Sequence, residues 1–232
     1  MPDPTGEKLI ALADGAGIDV TCACLVDYAG PGGPTVEQLH DALLWLAGVA
    51  RRFPGRVIAL AGVDPRRPEG PESYRLLSVL QQYDGVLLSH TGPLPSPSRC
   101  RFADPRLLAD LAVDFPRLPV IAAHMGMADW RPWAALATMQ PTLYGDLAMW
   151  DQLAFSRYPL FCRELRDLMD YAGADKVLFA TDNPILSITE STAEWVSLLH
   201  DLPRNAPAGI RFSDEEVEGM LGANAARVLR LA

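Results

Sequence analysis

"LPVIAAH" (Leu118–His124) is the stretch on which the fold turns. Its centre, Val120-Ile121-Ala122-Ala123, is an unbroken apolar run, and the run stops on a histidine. A strand with no polar alternation is covered on both faces, and strands of that kind belong to parallel sheets. "RVIALAGVD" (56–64), "GVLLSH" (85–90) and "KVLFATD" (176–182) repeat the pattern, and "IDVTCACLVD" (18–27) and "TLYGDLA" (142–148) bring the number of expected strands to six. In "KVLFATDNP" (176–184) the residues Val177–Thr181 read as a buried strand, and Asn183 and Pro184 stop it. A lone buried carboxylate is costly unless it is paired or holds a metal. Asp182 therefore either caps the next turn or sits at the mouth of a site.

Helical patterns separate these runs. They cover 7–17, 35–53, 71–83, 104–115, 130–139, 160–173, 192–202 and 213–231. Thr35 stands three residues before Gln38, and Ser213 three before Glu216, as in a capping box; Asp104 followed by Pro105 gives another helix start. "AGPGGP" (29–34) and "TGPLPSPS" (91–98) read as loops. Strands alternating with helices predict a parallel α/β fold. No GxGxxG or GxxxxGK[ST] follows a strand, which weakens dinucleotide and P-loop readings. Polar residues recur at the strand C-termini instead: Asp27, Asp64, His90, His124, Asp146 and Asp182. In a (β/α) barrel those ends converge on the face where chemistry occurs. The expectation is a single domain over residues 1–232, a TIM-like (β/α) barrel that is incomplete, since six strands leave an eightfold barrel two short.

The formal net charge is −9. An acidic balance argues against nucleic acid and anionic membrane as partners. No apolar run approaches the roughly 18 residues of a membrane span, and the N-terminus lacks the pattern of a signal peptide. The four cysteines, at 22, 24, 100 and 162, form no zinc-ribbon pattern. Reduced thiols in a cytoplasm are the expectation.

Two of the four histidines end strands, in "LLSHTG" and "IAAHMG". Each is followed two residues on by glycine, which lets the chain turn sharply above the imidazole. With Asp182 they place two imidazoles and a carboxylate at strand mouths, a set suited to a divalent metal such as zinc or to a metal beside an acid–base histidine. Hydrogen-bonded capping is the plain alternative for each. His40 and His200 lie within helical patterns and are expected to be solvated or half-buried. Cys22 and Cys24 share a strand face, where core packing is the default. Asp27 and Asp64 offer carboxylate oxygens, although Asp64 before Pro65 also suits a turn. Trp130 and Trp133 either wall a pocket or pack in the core. Asp146 either hydrogen-bonds the site or caps.

The segments "DPRLLADLAVDFPRLPVIAAHMG", "PTLYGDLAMW", "GADKVLFATDNP" and "EEVEGMLGANAARVL" resemble, in order and spacing, the C-terminal half of the amidohydrolase-related family. This is the branch of the amidohydrolase superfamily that includes aminocarboxymuconate-semialdehyde decarboxylase and resorcylate decarboxylase. "LIALADGAGIDVTCACL" to "RVIALAGVDPRRP" resembles its second and third β/α units. The resemblance implies that His90 corresponds to the metal-ligating histidine after the fifth strand. It makes His124 the acid–base or substrate-orienting histidine after the sixth, and Asp182 the aspartate after the eighth, which binds metal or handles the proton of bound water. The implied cofactor is a divalent metal, Zn²⁺ or else Mn²⁺. The implied activity is hydrolysis or decarboxylation of a small carboxylated or cyclic substrate.

The chain departs from that pattern. The family opens on a strand ending in His-x-His or Glu-x-His, which supplies two metal ligands, and no such pair occurs here. The interval from Asp64 to His90 accommodates only one helix and one strand. Measured against the family, the missing strands are the first and the fourth. Three readings follow. The chain is a metal-dependent hydrolase or carboxy-lyase, or it is an N-terminally truncated, non-catalytic binding scaffold without the metal pair, or it is a gene fragment. Missing strands leave open sheet edges, so association into a homo-oligomer is expected.

Overall fold

Each apolar run becomes a parallel strand, shorter than the run itself. The computed structural model describes residues 3–27, 33–62, 64, 73–94, 98–184, 186 and 190–231, in two units that divide between Leu76 and Leu77. Residues 29–32 and 95–97 of the two expected loops, and the Pro65 turn, lie outside the described residues.

The first unit holds α1 (Glu7–Gly15), β1 (Thr21–Cys24), α2 (Val36–Arg52) and β2 (Val57–Leu60). The strands run parallel, with Cys22 opposite Ile58 and Cys24 opposite Leu60. The predicted capping box starts α2: Gln38 N–H donates to Thr35 Oγ1 at 3.2 Å, and Thr35 N–H to Gln38 Oε1 at 2.9 Å. Ala13, Ala16, Leu46, Val49 and Val57 form the interior. Cys22 and Cys24 do share a face, but both are exposed, which corrects the expectation of core packing.

Helix α3 (Ser73–Gln82) spans the division. The second unit continues with β3 (Leu87–His90), α4 (Leu108–Asp114), β4 (Val120–Ala123), α5 (Arg131–Met139), β5 (Leu143–Asp146), α6 (Asp151–Ser156), α7 (Tyr158–Ala172) and β6 (Val177–Leu178). It closes with α8 (Thr192–His200), α9 (Leu202–Asn205), α10 (Asp214–Glu218) and α11 (Asn224–Leu229), the last two joined by a π turn over Gly219–Ala223. Strands β3, β4, β5 and β6 form one parallel sheet in chain order, with Leu88 opposite Ile121, Ile121 opposite Tyr144 and Asp146 opposite Leu178. All four residues of β4 are buried, as its uninterrupted apolar run requires. Helix α7 turns Phe161, Cys162, Leu165, Leu168, Met169 and Ala172 inward, a stripe at helical spacing.

Several expectations are corrected here. The run 176–182 yields only Val177–Leu178 as strand. The Phe179 N–H donates to the Met220 carbonyl of the π turn at 2.9 Å, so the backbone leaves the ladder and Asp182 lies beyond the strand end in a turn. Residues 104–115 are not one helix: Asp104 caps a 3₁₀ turn over Pro105–Leu107, and α4 follows. Trp130 and Trp133 are core residues, the second of the two alternatives; their indole N–H groups bond Glu164 and the Tyr144 carbonyl. Helix α6 was not expected. Among the described residues no helix is long and apolar enough to cross a membrane.

Gly145 shows how tightly β5 is packed. A Cβ there would lie 2.2 Å from Met125 Cγ and 2.8 Å from Trp133 Cε2. Gly145→Ala is therefore expected to destabilise the protein by about 1–3 kcal/mol through overpacking, read as a lower urea midpoint at unchanged slope.

Candidate active site

The two strand-end histidines meet. His90 closes β3 and His124 follows β4, and register brings their neighbours side by side, since His90 stands opposite Ala123. The glycines after them explain the approach. Gly92 (φ 110) and Gly126 (φ 83) adopt backbone conformations that favour glycine, and a Cβ on Gly92 would stand 3.3 Å from the Gly126 carbonyl carbon. Thr91 ties the turns together: its hydroxyl donates to the Ala123 carbonyl at 2.6 Å and accepts the Gly126 N–H at 3.0 Å. The imidazoles then sit edge to face, ring centroids 4.8 Å apart, with His90 Nδ1 and His124 Nε2 at 3.1 Å.

The direction of that hydrogen bond follows from the partners. His124 Nδ1 lies 3.1 Å from the Ala148 carbonyl, which can only accept, so Nδ1 carries the proton. In the neutral ring Nε2 is then an acceptor, and His90 Nδ1 must donate to it. This leaves His90 Nε2 with the lone pair that the bond between the rings does not use. His90 is exposed, whereas His124 is buried. Partial desolvation and the neighbouring His124 hold the His90 pKa below its ordinary value, opposed by the Gly92 backbone and by Asp182. The ring is thus neutral at neutral pH.

Asp146, at the end of β5, is buried and accepts the His124 and Ala148 N–H groups on one oxygen, Oδ1, at 2.9 and 3.1 Å. Burial raises its pKa against those two hydrogen bonds. Asp182 is exposed at φ 51, and its charge reaches His90, Asp146 and the buried Asp151. Burial raises the Asp151 pKa as well. The structure therefore gathers His90, His124, Asp146 and Asp182 within one unit and adds Asp151, which carried no signal in the sequence beyond being an acidic residue after a tryptophan. Asp27 and Asp64 associate with each other in the other unit, the Asp64 N–H donating to Asp27 Oδ2 at 2.9 Å. His40 and His200 are exposed on their helices.

Among the described residues no three His, Cys, Asp or Glu side chains are grouped to hold a metal. Both His124 ring nitrogens are engaged by protein partners, so His90 Nε2 and the Asp182 carboxylate are the donors the corner presents. A catalytic zinc takes three protein ligands and an open position. The described donor set does not fit that requirement.

Comparison with known proteins fits this arrangement of strands. An amidohydrolase from Burkholderia multivorans, solved with bound zinc, is 17% identical, with a TM-score of 0.69 over 99% of this chain and 89% of its own. The 5-carboxyvanillate decarboxylase LigW from Sphingomonas paucimobilis is 20% identical, with a TM-score of 0.65 over 99% of this chain and 84% of its own. A TIM-barrel protein of uncharacterised role from Bordetella bronchiseptica is 18% identical, with a TM-score of 0.63 over 99% and 85%. At these identities the likeness is one of fold: parallel α/β of the TIM-barrel type, with six strands among the described residues. No curated protein matches the chain. A family model for amidohydrolases matches residues 56–231, which include both strand-end histidines, Asp146 and Asp182, and the chain accordingly belongs to the amidohydrolase family.

Proposed function

We propose that this chain is a hydrolase or carboxy-lyase for a small carboxylated or cyclic substrate, and that its reaction is proton transfer at His90. The observation that carries the reading is the 3.1 Å hydrogen bond between His90 Nδ1 and His124 Nε2, backed by the Ala148 carbonyl. A buried second imidazole orients the exposed ring, the role a positioned acceptor plays behind a general base. In hydrolysis His90 Nε2 removes a proton from water as it attacks. In decarboxylation the protonated ring delivers that proton to the carbon that loses CO2. The decarboxylase among the fold neighbours supports keeping both reactions.

A divalent cation, zinc first and manganese second, is the cofactor that family membership suggests. His90 Nε2 and Asp182 are the groups that would touch it. Two protein donors bind weakly, so purified protein is expected to carry well below one zinc or manganese per chain. Near-stoichiometric metal that disappears in His90→Ala and Asp182→Ala would show instead that other residues complete a site. The missing third donor also favours a second reading, a binding scaffold without activity. Assaying CO2 release and acid release over a panel of hydroxylated benzoates and lactones, with and without added zinc or manganese, separates the two. Turnover that is lost in His90→Ala supports the enzyme, and no turnover under any condition leaves the scaffold.

A further inference from the structure

We propose that Asp146 is the positioning residue that sets the proton arrangement of the His124–His90 pair. Three groups from the five residues 146–150 hold His124. Asp146 Oδ1 accepts its backbone N–H at 2.9 Å, the Ala148 carbonyl accepts its Nδ1–H at 3.1 Å, and the Trp150 indole donates to its backbone carbonyl at 3.0 Å. The same Oδ1 also accepts the Ala148 N–H at 3.1 Å. One carboxylate oxygen therefore fixes both the backbone that carries the imidazole and the peptide whose carbonyl receives the ring proton. His124 needs that hold, because its φ of 68° is a left-handed conformation that few non-glycine residues adopt. The segment is anchored from the other side too, the Leu147 N–H donating to the Leu178 carbonyl of β6 at 3.0 Å, with Met149 turning the chain at φ 67°.

The consequence is a chain of fixed polarity. With the Nδ1 proton of His124 on Ala148, its Nε2 accepts from His90 Nδ1, and His90 Nε2 is left unprotonated. Were His124 to carry its proton on Nε2, the two rings would each present a donor or the His90 lone pair would turn inward, and the exposed nitrogen would cease to be a base. A plain strand-end cap would satisfy the two N–H groups without any bearing on ring protonation.

The inference deepens the proton-transfer reading, but its test does not depend on activity. Only four histidines are present, so the ring nitrogens can be assigned by long-range ¹H–¹⁵N correlation on the full chain above the titration range of the pair. In the unaltered protein both His124 and His90 are expected as the Nδ1–H form, with each Nε2 resonating as an unprotonated nitrogen. Asp146→Ala is expected to lose that pattern, both rings averaging between the two neutral forms. Asp146→Asn retains an oxygen able to accept both N–H groups and is expected to restore it. An Nε2–H form of His124 in the unaltered protein would overturn the proposal even if neither variant folds. So would an Asp146→Ala protein with unchanged ring forms. If the ring forms behave as expected while no substrate is turned over, the positioning role stands and the proposed activity fails.

Discussion

Trp133→Ala is expected to lower the stability of the protein by about 3–5 kcal/mol, the range for emptying a buried aromatic site. Trp133 is fully buried at 0% exposure and, with Trp195, is one of the largest interior side chains. It sits on the face of α5 that packs against β5, where Gly145 leaves room for the indole; a Cβ at that glycine would stand 2.8 Å from Trp133 Cε2. Its N–H also donates to the Tyr144 carbonyl at 3.1 Å. Truncation removes the dispersion contacts of two rings and one hydrogen bond together. The surroundings have little freedom to collapse into the space, since Leu143, Phe161 and Leu165 of the same core are themselves at 0% exposure. Domains are typically stable by about 5–15 kcal/mol, so the variant should be marginal at room temperature. Trp133→Phe retains part of the volume and is expected to lose less. Urea unfolding followed by circular dichroism reads both as midpoint shifts at constant slope. A Trp133→Ala midpoint equal to that of the parent would mean that this interior is not packed as described.

The strands were readable because a parallel sheet writes its burial into consecutive residues. Val120–Ala123 needs no alternation, and its four side chains are all buried. Helix starts were readable where one side chain does the capping: Thr35 and Ser213 each make the reciprocal bonds that their spacing to Gln38 and Glu216 implies. What could not be read was whatever depends on a distant partner. The strand at Val177 ends after Leu178 because the Phe179 N–H finds Met220, forty-one residues further on. Cys22 and Cys24 follow the strand alternation, but whether their shared face is covered depends on what packs against it, and it is exposed.

The site divides along the same line. His90 and His124 stood out by type, by position at strand ends and by the glycines two residues later, all of which are local features. Their direct hydrogen bond was not legible. It depends on Gly92 and Gly126 abutting across the sheet and on Thr91 bridging them. The resemblance implied a metal ligand at His90 and an acid–base group at His124; the geometry leaves the Nε2 lone pair of His90 outside the pair and ties both His124 nitrogens. Asp146 could be named only as a residue that bonds the site or caps; it does both with one oxygen, because the chain returns over 146–150 onto a histidine 22 residues earlier.

His90→Ala is expected to reduce turnover of any substrate found by about 10²–10⁴-fold, the usual contribution of a positioned acid–base group. His124→Ala should fall in the same direction, because His90 then loses the acceptor that orients its ring, whereas His200→Ala, at an exposed helix position, should be unchanged. The pH dependence decides which form of His90 works. Desolvation and His124 hold its pKa below 6.5. If neutral Nε2 is the base, kcat/KM stays high through neutral pH and is lost only as pH falls through that lowered pKa. If the protonated ring is the acid, the rate rises over the same interval on acidification. The first profile points to hydrolysis and the second to decarboxylation. Stability moves with the first in sign: the unfolded chain binds the proton more readily than the folded one, so the His90 contribution is present above the ordinary histidine pKa and lost as pH falls through the folded value. A His90→Ala protein that folds, turns over substrate at the parental rate and keeps the parental pH profile would remove His90 from the reaction and with it the proton-transfer reading.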